Sequence, residues 1–152
     1  MNNAKIFNRY FVTFFSVVLT FLLFTSFYAC EEKRTNYPIH DVVAKLEDTG
    51  FDVYHAQPEN VVEFLDSGFG LSRGTSSFTR GVFAVHSIVP DHFVYIIYCS
   101  SSSVADSLGN KMKQNLFAFA YTYEVNVGDI TCLKIDNVIY CGITDAVDLV
   151  TK

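Results

Sequence analysis

Ile130-Thr131-Cys132-Leu133-Lys134-Ile135-Asp136-Asn137-Val138-Ile139-Tyr140-Cys141 reads as two apolar strands around a tight turn at Asp136 and Asn137, and this stretch decides the class of fold. A two-residue turn there pairs Ile135 with Val138, Lys134 with Ile139, Leu133 with Tyr140 and Cys132 with Cys141. Such pairs alternate between hydrogen-bonded and not, so the fourth is the close kind, with Cα atoms about 4.5 Å apart. That spacing admits a disulfide. Closing the loop would stabilise the chain by about 2.7 kcal/mol in the chain-entropy account. The competing state is two reduced cysteines packed as small apolar side chains, and a slip of one residue in the turn would part them.

Outward from this hairpin, Gly142 ends the second strand and Thr144 is placed to cap a short helix. Upstream, Arg80 to Ile88 and Phe93 to Cys99 are dense in Val, Ile, Phe and Tyr and are split by Val89, Pro90, Asp91 and His92, which predicts a central hairpin. Ser101, Ser102 and Ser103 offer hydroxyl caps to a helix on which Val104, Leu108, Met112, Leu116 and Phe119 recur every three or four residues. Gly109 weakens that helix by about 1 kcal/mol relative to Ala. Pro38 opens a helix over 38–49, with Val42, Val43 and Leu46 at helical spacing and Gly50 closing it in a left-handed conformation. Phe51 to Ala56 alternates as a strand, and Pro58 and Glu59 start a helical turn that ends near Ser67. Tyr121 and Tyr123 alternate with polar neighbours and read as core or sheet edge. The sum is an α+β domain: an antiparallel sheet of four to five strands backed by helices.

At the other end of the chain, Tyr10 to Cys30 contains no charged residue. As a helix it would cover about 31 Å, one bilayer core. Lys5 and Arg9 precede it, while Glu31, Glu32, Lys33 and Arg34 cancel after it, so the basic flank is expected on the cytoplasmic side. This divides the chain into a membrane anchor or signal segment (1–30), a charged linker (31–37) and one α+β domain (38–152), displayed on the extracytoplasmic face of the cell membrane. Ordinary signal cleavage fits poorly, because Phe27, Phe24 or Leu23 would occupy the position that requires a small side chain.

Leu22, Leu23 and then Phe27, Tyr28, Ala29 and Cys30 resemble the end of a bacterial lipoprotein signal, in which a small residue precedes a cysteine that becomes lipidated. The resemblance implies acylation of Cys30; Phe27 departs from the usual Leu and Tyr28 from the usual Ala or Ser. A retained helix and an acylated cysteine both tether the domain. Asn137, Val138, Ile139, Tyr140, Gly142, Asp145 and Ala146 are similar to the ending of small uncharacterised lipoproteins of Gram-positive bacteria, a resemblance that implies no activity.

Residues 31–152 include fifteen of the Phe and Tyr residues, enough apolar surface for one core. The same residues hold nine basic and sixteen acidic side chains, a net charge of −7. Nucleic acid and anionic headgroups are therefore poor partners, and a neutral or basic protein is a better one. Ser67 to Thr79 is rich in glycine and hydroxyl residues and is predicted to be a surface loop, with Phe69, Arg73 and Phe78 as its binding side chains. It lacks the Lys and Ser or Thr of a phosphate cradle. His40, His55, His86 and His92 show no metal-site spacing, and no cofactor is implied. No catalytic constellation is legible, so non-enzymatic binding or scaffolding is expected. Two rivals are a small thiol hydrolase using Cys99 with His86 and a redox sensor built on Cys132 and Cys141.

Overall fold

Phe93-Val94-Tyr95-Ile96-Ile97-Tyr98-Cys99 is apolar without alternation, a pattern that suits a strand covered on both faces. In the structure, a computed structural model that describes residues 36–152, it forms the middle strand of a five-stranded sheet. The elements are α1 (Ile39–Asp48), β1 (Phe51–Ala56), α2 (Pro58–Phe69), β2 (Phe78–His86), β3 (Phe93–Cys99), α3 (Ser102–Gln114), α4 (Leu116–Thr122), β4 (Ile130–Ile135), β5 (Val138–Ile143) and α5 (Thr144–Thr151). The sheet order is β1-β2-β3-β5-β4, and every pairing is antiparallel. The α+β class and the antiparallel sheet with helices are as expected. The apolar run 10–30 and Cys30 lie outside the described residues. Among the described residues no helix is long and apolar enough to cross a membrane.

Side chains alternate across each strand, so the cross-strand partners Phe83, Tyr95, Cys141 and Cys132 share one face. There Phe64 of α2 stacks on Tyr95 with ring centroids 4.1 Å apart, and Phe119 of α4 packs against Phe69 at 4.5 Å. Helix α3 crosses the same face, with Gly109 beside Ile139 and Lys134. The opposite face carries Val82, Ala84, Val94, Ile96 and Tyr140, all buried, and meets α1 and α5, whose Val42, Leu46, Val147 and Val150 are also buried. Two hydrogen bonds fix the incoming chain on that face: Tyr140 donates to Asn36 Oδ1 at 2.8 Å, and Tyr37 donates to the Lys152 carbonyl at 3.0 Å.

Local chemistry sets most boundaries. Pro38 precedes α1, and Gly50 follows it at φ +88°, the left-handed conformation expected there. Ser101 accepts from the Val104 N–H and caps α3. The single long helix expected after Ser101 is instead two. Asn115 breaks it, its side-chain amide donating to the Lys111 carbonyl at 2.8 Å while its backbone leaves helical geometry. This places Tyr121 on α4 and Tyr123 at its C-cap, where Tyr123 packs against the core, and neither on a sheet edge. Thr144 is the first residue of α5 and not its cap; its hydroxyl donates to the Asp129 carbonyl and meets Thr131 at 2.7 Å.

Candidate functional site

The predicted binding loop is largely absorbed by the fold. Helix α2 continues through Phe69, and β2 begins at Phe78, leaving 70–74 and a short 3₁₀ turn between them. Phe69 and Phe78 are 2% and 5% exposed, core residues and not contact residues. The glycine that signalled a loop, Gly68, packs against Phe119 and Tyr123 within the helix, and the apolar rings on either side outweigh the loop-forming composition. Arg73 remains at the surface and donates to Ser107 Oγ at 2.9 Å.

The proposed Cys99 and His86 dyad does not assemble. Cys99 pairs with Phe78 at one end of the central hairpin, whereas His86 lies opposite His92 at the other. Cys99 lies seven residue steps along the strand from His92, about 23 Å. Cys99 is also buried, which pushes its thiol up to about 11, against the opposing pull of Arg73. A buried thiol held protonated is a poor nucleophile.

Cys132 and Cys141 are cross-strand partners in the predicted register and are both free, buried thiols in this structure. A hydrogen bond with Cys132 that holds the Cys141 thiol in its protonated form, followed by burial, pushes that thiol well above its ordinary value. Burial likewise raises Tyr95 next to it, helped by the neighbouring Tyr123 hydroxyl.

A concavity lies at the end of the sheet where β2 turns into β3, where β4 begins and where β5 runs into α5. It is a cavity of about 530 Å³ lined by Asp91, His92, Glu124, Asn126, Asp129 and Asp145, among others. Antiparallel pairing explains the convergence: the start of β3 lies beside the end of β5, and Ile130 of β4 pairs with Ile143. Asn126 accepts from the Gly128 N–H, shaping the 3₁₀ turn Val127–Asp129. Glu124 sits at φ +54°, a left-handed conformation that side chains other than Asn and Asp rarely adopt. Among the described residues, none of the four carboxylates pairs with a cationic side chain, and no lysine or arginine lines the cavity. Nor do three or more ligand-type side chains converge closely enough to hold a metal ion among those residues. The cavity suits positive charge spread over several atoms.

His86 forms the support of one wall. Its Nδ1 accepts from the backbone N–H groups of Ile88 and Val89, each at 3.2 Å, and its ring packs edge-on to Phe51 at 5.2 Å. This fixes the turn that delivers Asp91 and His92 to the cavity.

The chain matches no known protein family, no curated protein and no solved structure.

Proposed function

We propose that the chain is a membrane-tethered domain on the extracytoplasmic side of the membrane that binds a partner without catalysis, and that the acidic cavity is its binding site. The observation that carries this reading is the placement of the cavity. The chain arriving from the uncharged run 10–30 enters at Asn36, beside the Tyr140 hydroxyl, which in turn feels Asp136 in the β4–β5 turn. The cavity occupies the opposite end of the strands. A concave, uncompensated charged surface at the end of the sheet away from Asn36, where the described chain begins, is the arrangement expected of a displayed binding domain. The separation of Cys99 from His86 removes the support for a thiol hydrolase.

The test is photo-crosslinking from the full membrane-bound chain in cells. A photoreactive residue in place of Asn126 is expected to capture a protein, and one in place of Asp52, on the edge strand, is expected not to. No adduct from position 126, or equal capture from both positions, overturns the reading.

A redox-responsive role is a second reading, favoured by the facing pair Cys132 and Cys141. Their burial and the raised Cys141 thiol slow exchange with external thiols, which suits a structural bond better than a sensor. Equilibration of the pair with glutathione buffers measures this: a midpoint near the compartment's own potential supports the sensor, and a much lower one supports the structural bond.

A further inference from the structure

Five large apolar side chains stay exposed among the described residues, and four of them, Ile88, Val89, Phe117 and Tyr121, belong to the cavity end of the sheet. Ile88 is 83% exposed on the β2–β3 turn, from which Val89 and Pro90 lead into Asp91. Phe117 and Tyr121 are 76% and 87% exposed, one helical turn apart on α4. The Glu124 N–H donates to the Tyr121 carbonyl, so the backbone at the end of α4 meets a cavity-lining residue. Exposed apolar groups gathered around a concave polar site mark an interaction surface.

We propose that this end of the domain docks a cationic amphipathic segment of a partner protein. Its arginine or lysine side chains enter the cavity among Asp91, Glu124, Asp129 and Asp145, while its apolar side chains rest on Ile88 and on Phe117 with Tyr121. The proposal rests on the reading of the cavity as the binding site and adds the chemistry of the partner. Charge complementarity selects the occupant. Nucleic acid and anionic headgroups are repelled, because four carboxylates face the cavity with no lysine or arginine among its lining residues. A divalent ion lacks a converging ligand set among the described residues. A small polyamine would satisfy the carboxylates and leave the apolar flanks in water. A segment carrying both kinds of side chain satisfies both parts of the surface, and planar guanidinium groups match separated carboxylates well. Lys111 and Lys113 close α3 at this end without lining the cavity.

Fluorescence anisotropy with the full chain in neutral-lipid nanodiscs, blanked against empty nanodiscs, tests this. The probes are three labelled twelve-residue peptides: alternating arginine and leucine, arginine and serine, and glutamate and leucine. The arginine–leucine peptide is expected to bind. The arginine–serine peptide should bind about tenfold more weakly and the glutamate–leucine peptide not measurably. Asp91→Asn with Asp145→Asn, and separately Ile88→Ser with Phe117→Ser, should each weaken the first peptide by about tenfold. All four positions are exposed, so folding is retained, and circular dichroism of each variant checks that. Binding of the glutamate peptide equal to that of the arginine peptide, or unchanged affinity in both double variants, overturns the proposal. So does concentration-dependent dimerisation abolished by the same variants, which would make the occupant a second copy. Failure here with capture from position 126 intact rejects only the partner's chemistry; loss of both rejects the site.

Discussion

Cys132 on β4 and Cys141 on β5 stand directly opposite each other, and their thiols share a hydrogen bond in the fold. In an oxidising compartment, transfer of two electrons and two protons from the pair to a disulfide-type oxidant would join them. The oxidised protein is expected to be more stable by about 2.7 kcal/mol, close to 10 °C in Tm for a domain of this size. Non-reducing peptide mapping combined with calorimetry before and after reductant checks both parts. Two free thiols in protein isolated from outside the cytosol would contradict the bond.

Gly142 is required by contact and not by conformation. A Cβ there would collide with the Phe93 carbonyl oxygen and lie 2.7 Å from Val94 Cα, both backbone atoms of the central strand. Gly142→Ala must therefore push β3 and β5 apart, at a cost of about 3 kcal/mol or more. Urea unfolding would show a much lower midpoint; an unchanged midpoint would mean that the β3–β5 contact is looser than described.

Glu124 contributes charge to the cavity and holds a left-handed backbone at φ +54°. Glu124→Gly is expected to relieve about 1 kcal/mol of backbone strain while weakening the arginine–leucine peptide. Opposite shifts in Tm and in peptide affinity would demonstrate strain kept at a binding site. A variant that loses stability would contradict it.

Cys99 gives the alkaline behaviour its sign. Burial raises its thiol from about 9 to about 11, so the fold holds the proton more tightly than the unfolded chain does. That contribution is complete below pH 9 and is lost as pH rises towards 11, at most about 3 kcal/mol for two pH units. The raised Cys141, Tyr95 and Tyr140 steepen the same decline. Denaturant midpoints across pH 7 to 11 should be flat and then fall, with a shallower slope in Cys99→Ala. A rise in stability above pH 9 would contradict the assignment.

The hairpin register was legible because Asp136 and Asn137 are the only turn-forming pair between two apolar runs, and side-chain alternation leaves one pairing that keeps Cys132, Cys141 and Tyr140 buried. The limits of β1 were readable for the same local reason. The binding loop was misread because Gly68 and Ser67 favour a turn locally, while Phe64, Phe69 and Phe119 pack only once the helix continues over the sheet. The cavity gave no local signal. Asp91, Glu124, Asp129 and Asp145 are scattered in the chain, and only the pairing of β3 with β5 brings them to one end. That pairing joins strands separated by two helices and β4, a relation no short-range pattern encodes.

The proposed displayed, tethered topology underlies both the expected oxidation of the cysteine pair and the proposed docking of a partner, and sided labelling tests it most directly. Lys113 is exposed at the end of α3, and Cys99, Cys132 and Cys141 are buried, so Lys113→Cys supplies an accessible thiol among the described residues. A membrane-impermeant maleimide applied to intact cells is expected to label Lys113→Cys, above the wild-type background, with the protein in the membrane fraction. Labelling that appears only after the cells are opened, or recovery of the chain in the soluble cytosolic fraction, would contradict the account.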